Sequence, residues 1–217
     1  EKRLLEKYGH PTPEALVESA QGHIDLLHRY DFDDIALSMK SSTVPLTIAA
    51  YRLAAERFPY PLHVGVTETG TAYNGIIRSA VGIGTLLMEG IGDTVRVSLT
   101  ADPVEEARAG VEILRAAGLK KGGIRFVSCP TCGRTEIDLI GLAHEVEERL
   151  RGVERDITVA VMGCVVNGPG EAREADYGVA GGRGCGLLFK KGEIVRKVPE
   201  GELCSALMEL IESGEGL

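Results

Sequence analysis

Apolar and polar positions alternate along the chain in a rhythm that changes once, near residue 120. Over residues 13–30 Ala15, Leu16, Ala20, Ile24, Leu27 and Tyr30 recur at helical spacing behind Pro13, which suits a first helical turn, so the pattern predicts a helix. A short apolar strand follows within "DDIALSMKSS" (33–42), then a second amphipathic helix over 44–58. "PLHVGVTETG" (61–70) repeats the scheme, its strand ending in Thr67, Glu68 and Thr69. The helical segment over 74–90 contains Gly75, Gly82 and Gly84, whose low helix propensity points to close approach of backbones. Residues 93–100 read as a third strand ending in Ser98 and Thr100, and 102–118 as a helix capped by Asp102 with Pro103 in its first turn. Three strand–helix units in succession imply a parallel sheet, doubly wound or barrel-like.

After "GLKKGG" (118–123) the rhythm shortens, which predicts a domain boundary between residues 1–120 and 121–217. A strand "GIRFVSC" leads into a helix over 137–152, a second strand over 156–164, short strands at 177–182, 185–191 and 193–198, and a terminal helix over 200–214. This is a smaller α/β unit whose cysteines fall at strand ends, where loops gather ligands.

Composition narrows the function. The 217 residues are 44% hydrophobic, enough to bury a core in one large or two small domains. A net charge of −8 argues against a nucleic-acid footprint or a membrane surface but leaves room for a local basic pocket that takes small anions. No apolar run approaches the length of a membrane span, and "EKRLLEKYGH" lacks the apolar stretch of a secretory signal, so a cytoplasmic location is expected. The opening on Glu rather than Met reads as a processed or shortened chain.

Five cysteines without an export signal point to a metal or redox element rather than a structural disulfide. Cys129 and Cys132 form the CxxC of "SCPTCGRTE", and Cys164 stands alone. Two thiolates on one tight turn reach the same metal or cluster, and Cys164 joins them if the strands ending at Cys129 and Cys164 are neighbours in one sheet. The three thiols are then expected within ligand reach of one another. A zinc ribbon would want a second CxxC, but Val165 and Val166 follow Cys164, and none of His10, His23, His28, His63 and His144 has ligand spacing to it. Structural zinc and an inert or redox-active CxxC stay open. A [4Fe–4S] cluster accounts for more of the residues. Three thiolates leave one iron for a displaceable oxygen ligand, and Glu171, after the stiff and sharply turning "NGPG", is the candidate. The plainer alternative for Glu171 is an acidic residue in the first turn of a short helix. Cys185, in an apolar strand, and Cys204, beside Leu203, Leu207 and Leu210, read as core thiols.

Taken together, "SCPTC", "GCVVNGPGEA", "GVTE" and "GIGDTVRVSLTADPVEE" resemble the 4-hydroxy-3-methylbut-2-enyl diphosphate synthase family over nearly the whole chain. The resemblance implies a TIM barrel followed by a cluster domain. It implies reductive ring opening and dehydroxylation of 2-C-methyl-D-erythritol 2,4-cyclodiphosphate in isoprenoid biosynthesis, with two electrons from reduced ferredoxin or flavodoxin. By motif it implies Cys129, Cys132, Cys164 and Glu171 as cluster ligands. Lys40 of "SMKSS", Thr67 and Glu68 of "GVTE", and Arg96 and Ser98 of "VRVSL" match positions that hold substrate, with Glu68 as proton source or relay. Asn167 matches a polar residue near both cluster and substrate, and the assembly implied is a homodimer. The residue types suit this chemistry, since cations at strand ends face a barrel mouth where a diphosphate needs them. Plain alternatives remain: a Lys40 that reaches into solvent, an Arg96 bridged to Glu68 or Asp102, and a Glu68 that only closes a sheet end.

Three strand–helix units precede Gly118, where a complete barrel has eight. The chain is therefore expected to be the carboxyl-terminal portion of such an enzyme, to bind a cluster, and to fail in turnover by itself. Its strand edges are expected to be repaired by association of two or more copies, or else the first domain to be markedly less ordered than the cluster domain. The reading from another class is a non-catalytic iron–sulfur or zinc-binding module.

Overall fold

A computed structural model describes residues 1–153, 155–165, 170 and 172–214. They form two units, Glu1–Lys120 and Lys121–Leu217.

In the first unit the helices are α1 (Lys2–Tyr8), α2 (Pro13–His28), α3 (Val44–Arg57), α4 (Ala72–Met88) and α5 (Pro103–Ala116), each packed on the next in chain order. Helix α1 has no counterpart in the apolar pattern, because Leu4 is its one buried residue. Its end is tied to α2 by Lys7 and Tyr8, which both reach the Glu18 carboxylate, at 2.6 and 2.7 Å. Thr12 caps α2 by accepting the Ala15 N–H at 3.1 Å, and Asp102 caps α5 by accepting the Val104 N–H at 2.8 Å.

Extended segments lie side by side inside these helices: Leu37 bridges Leu62, and β1 (His63–Val64) pairs in parallel with β2 (Thr94–Val95). Regular pairing is thus much shorter than the three strands that the apolar runs predict. Side chains occupy part of the ladder. The Leu62 N–H donates to the Asp93 carboxylate at 2.7 Å, and the Tyr51 hydroxyl donates to the His63 carbonyl at 2.6 Å. The segments nevertheless stay aligned to their carboxyl ends through Thr67 N–H to Ser41 O (3.1 Å), Arg96 N–H to Val64 O (2.9 Å) and Thr100 N–H to Gly70 O (2.9 Å). Val17, Ile24, Tyr51, Val64, Ile83, Leu86 and Ile113 fill the core. Gly75 and Gly82 do mark close approach, since a Cβ would fall 2.4 Å from Leu99 Cδ2 and 2.6 Å from Val66 Cγ2 respectively, whereas Gly84 has nothing within 4 Å.

The second unit is a five-stranded sheet of order β3-β4-β5-β6-β7, with β3 (Ile124–Ser128), β4 (Ile157–Met162) and β5 (Tyr177–Gly182) parallel, and β6 (Cys185–Lys190) and β7 (Glu193–Pro199) antiparallel. Alternation along β4 sends Val159 and Val161 into a core with α6 (Leu139–Leu150) and α7 (Leu203–Ser213). Ala160 and Met162 go to the opposite face, with Ala172, Ala175 and Phe189. The Phe189 ring lies over Gly178, where a Cβ would fall 2.2 Å from Cζ.

Candidate functional site

The cysteines stand where the parallel strands of the second unit end. Ser128 is in register with Val161, so the chain leaves β3 at Cys129 beside the stretch in which β4 runs on into Gly163 and Cys164. The Gly163 N–H donates to Cys129 Sγ at 3.1 Å, and the Glu136 N–H donates to the Gly163 carbonyl at 3.2 Å. Cys164 is buried, Cys129 half-buried and Cys132 exposed. Thr135 closes the CxxC turn from both sides: its hydroxyl accepts the Cys132 N–H at 3.2 Å and its N–H donates to the Cys132 carbonyl at 3.0 Å. The same threonine rests on Gly163, where a Cβ would lie 3.0 Å from its Oγ1. The Cys132 thiol is held below its ordinary pKa, first by the Arg134 backbone N–H, then with help from the Thr135 hydroxyl and the Arg134 guanidinium.

The geometry does not assemble all three thiols. Among the described residues no three His, Cys, Asp or Glu side chains stand close enough to hold a metal ion. Cys129 donates its N–H to the Val161 carbonyl and takes the Gly163 N–H on its sulfur, next in the chain to Cys164, while Thr135 fixes the backbone of the turn and the Cys132 side chain is exposed. Glu171 and Asn167 lie outside the described residues. Cys185 is not a core thiol: it is partly exposed at the first position of β6, opposite Gly182 in the hairpin that follows β5. Cys204 is buried at 5% exposure, and burial, with the Glu145 carboxylate adding, pushes its thiol up to about 11.

In the first unit the carboxyl ends of the three extended segments gather the other candidates. Lys40 is exposed next to the buried Ser41, whose carbonyl accepts the Thr67 N–H. Glu68 is exposed with φ 54°, a left-handed conformation that a non-glycine residue adopts at some cost. The Arg96 guanidinium donates to the Ser98 hydroxyl and pairs with neither Glu68 nor Asp102. Its second terminal nitrogen is buried without a hydrogen-bond partner. Gly65 makes room for it, since a Cβ there would meet the Arg96 carbonyl at 2.6 Å and that nitrogen at 3.4 Å. A buried guanidinium nitrogen lacking an acceptor is the feature an anionic ligand satisfies.

Residues 1–111 match the GcpE TIM-barrel domain and residues 125–213 match the GcpE protein C-terminal domain. The chain belongs to the GcpE family. It is 64% identical over 212 residues to a 4-hydroxy-3-methylbut-2-en-1-yl diphosphate synthase (flavodoxin) of Geobacter sulfurreducens, covering 98% of this chain and 60% of the relative. It is 63% identical to the protein of that name from Clostridium perfringens, covering 98% of this chain and 61% of the relative. The chain thus spans about three fifths of the length of these curated relatives. Membership makes the aligned segments within residues 1–111 part of a TIM-barrel domain, and residues 125–213 the C-terminal α/β domain of the GcpE architecture.

Two residues at the strand ends were not among the sequence candidates. Thr69, 1% exposed, donates its hydroxyl to the Ser98 carbonyl, and Glu106 accepts the Leu99 N–H at 2.7 Å. Thr69 reads in the sequence as one more polar residue after a strand, and Glu106 as an acid complementing the dipole of α5; nothing in the linear pattern ties them to the same peptide. No helix among the described residues is long and apolar enough to cross a membrane.

Proposed function

We propose that this chain carries the cluster-binding domain and the last substrate-binding strand ends of a 4-hydroxy-3-methylbut-2-enyl diphosphate synthase, a cytoplasmic enzyme. The reaction assigned is reductive opening and dehydroxylation of 2-C-methyl-D-erythritol 2,4-cyclodiphosphate. The carrying observation is the parallel pairing of β3 with β4, which brings Cys129 to Gly163, the residue before Cys164, with the Gly163 N–H on the Cys129 sulfur. That donor set suits a [4Fe–4S] cluster: thiolate sulfur selects it, and N–H···S bonds of this kind tune its potential. Cys129, Cys132 and Cys164 would hold it, Cys132 by a change of its exposed turn, with Glu171 as the displaceable oxygen ligand and Asn167 close by. When bound, the cluster supplies electrons one at a time and a Lewis-acidic iron toward the leaving oxygen.

The chain's own residues handle the anion and the proton. Arg96, oriented by Ser98, and Lys40 neutralise the diphosphate; Thr67 offers a hydroxyl; Glu68 delivers or relays the proton. The electron donor is a reduced flavodoxin, the carrier in the relatives' names, with ferredoxin as the related alternative. The full reaction also needs cations from outside these strand ends, in keeping with the share of the relatives that the chain spans.

The test is reconstitution of the chain under anaerobic conditions with iron and sulfide. About four irons and four sulfides per chain are expected, with visible absorption that is lost in Cys129→Ser, Cys132→Ser and Cys164→Ser. One zinc without sulfide, or iron binding indifferent to all three changes, overturns the proposal and favours a structural metal module.

A further inference from the structure

One peptide unit at the barrel-side strand ends is held by side chains at both of its polar atoms. The carbonyl of Ser98 accepts the hydroxyl of Thr69, and the N–H of the next residue, Leu99, donates to the Glu106 carboxylate at 2.7 Å. These two atoms belong to the same rigid plane, so the two side chains fix its orientation about the strand axis. Thr69 is itself immobilised. It is 1% exposed, the Arg78 guanidinium donates to its carbonyl at 3.3 Å, and Gly75 leaves room for its Oγ1, which a Cβ would approach to 2.9 Å. Leu99 fills the other side of the same glycine, 2.4 Å from that Cβ position. Glu106, half-buried in the first turn of α5, brings its carboxylate to a peptide seven residues back along the chain.

The consequence falls on Ser98 and Arg96. The direction of the Ser98 Cα–Cβ bond follows from the peptide plane that begins at its carbonyl, and the Ser98 hydroxyl receives the Arg96 guanidinium. A tilt of that plane swings the hydroxyl and releases the guanidinium from its place over Gly65. Hydrogen-bond partners of this kind align a ligating group to within fractions of an ångström.

We infer that Thr69 and Glu106 are positioning residues that clamp the Ser98–Leu99 peptide and thereby aim the Arg96–Ser98 pair at the diphosphate of the substrate. The inference rests on the proposed use of this strand end for the cyclic diphosphate, and neither residue touches that ligand.

The experiment titrates the full chain with 2-C-methyl-D-erythritol 2,4-cyclodiphosphate, and separately with inorganic pyrophosphate, following the amide resonances of residues 96–100 by NMR. Thr69→Val and Glu106→Ala are each expected to weaken binding by roughly tenfold, the loss of one partly buried hydrogen bond, and to speed hydrogen exchange at the Leu99 amide. Thr69→Ser and Glu106→Gln, which keep a donor and an acceptor, are expected to bind within about threefold of the unchanged chain. That rescue is what a merely structural role would not predict. Arg96→Ala separates the two claims. If it abolishes the titration while Thr69→Val and Glu106→Ala bind normally, the clamp is wrong and the site stands. If it leaves binding intact, or the unchanged chain shows no saturable binding, the site assignment fails and the clamp falls with it.

Discussion

At the scale of the residue, the cysteine end is organised around an absent side chain. Gly163 lets Thr135 lie against β4, and Thr135 closes the CxxC turn. In Gly163→Ala the new methyl would meet Thr135 Oγ1 and Leu139 Cδ2, both at 3.0 Å, so the turn must move although the N–H to Cys129 survives. Overpacking of this sort costs about 1–3 kcal/mol. The expected outcome is a lowered melting temperature together with fewer irons per chain after reconstitution. Full iron content would detach Thr135 from ligand placement. Cys204 offers a second test. Burial pushes its folded thiol up to about 11, above the ordinary thiol range, so the folded state keeps the proton longer than the unfolded state. Stability linked to it is therefore complete below about pH 9 and lost as pH rises toward 11. Cys204→Ala should flatten the fall of melting temperature across that window, whatever it does to stability at neutral pH; an unchanged slope would show that the thiol does not contribute.

At the scale of the element, α6 begins with a cap that reverses a familiar rule. Asp138 accepts the Gly141 N–H at 3.0 Å, and a Cβ on Gly141 would lie 2.3 Å from Asp138 Oδ2. Glycine to alanine inside a helix ordinarily stabilises by up to about 1 kcal/mol. Here Gly141→Ala should destabilise, by about as much as Asp138→Ala, for which roughly 1 kcal/mol is the usual loss. The double substitution should cost little more than either single one, because both remove the same bond. Stabilisation by Gly141→Ala in a denaturant titration would refute this account. The cap at Asp102 was legible in advance because a polar residue before Pro is a strong local signal, whereas Asp138, followed by Leu139 and Ile140, carries no such punctuation.

At the scale of the whole molecule, the first unit presents three aligned extended segments whose pairing is confined to β1 with β2 and to single bridges at Leu37–Leu62 and Thr71–Thr100 among the described residues. Backbone groups on the outer sides of such segments seek partners, and Ile77, Val81 and Met88 add exposed apolar surface on α4. The chain by itself should associate with further copies of itself. Sedimentation velocity is expected to show species larger than one chain whose share rises with loading concentration. A single monomeric boundary at all concentrations would show that these edges are satisfied within the chain.

The amino-acid sequence by itself determined α2 to α7, the succession of strands along the second unit, and the identity of the cysteines, because hydrophobic period, capping residues and a CxxC are local signals; α1, with one buried residue, left no such signal. Family motifs added Lys40, Glu68, Arg96 and Ser98, and the aligned strand ends place all four at one edge of the same unit. Only the tertiary structure decided what depends on register and contact. It shortened the barrel-side strands, because Asp93 and Tyr51 take backbone groups that the apolar runs had left to a ladder. It moved Cys185 from the core to a hairpin at the sheet end, since an apolar neighbourhood in sequence does not say which end of a strand a residue occupies. It also joined Thr69 to Glu106 through one peptide plane, a relation between residues far apart in the chain that no pattern along it can carry.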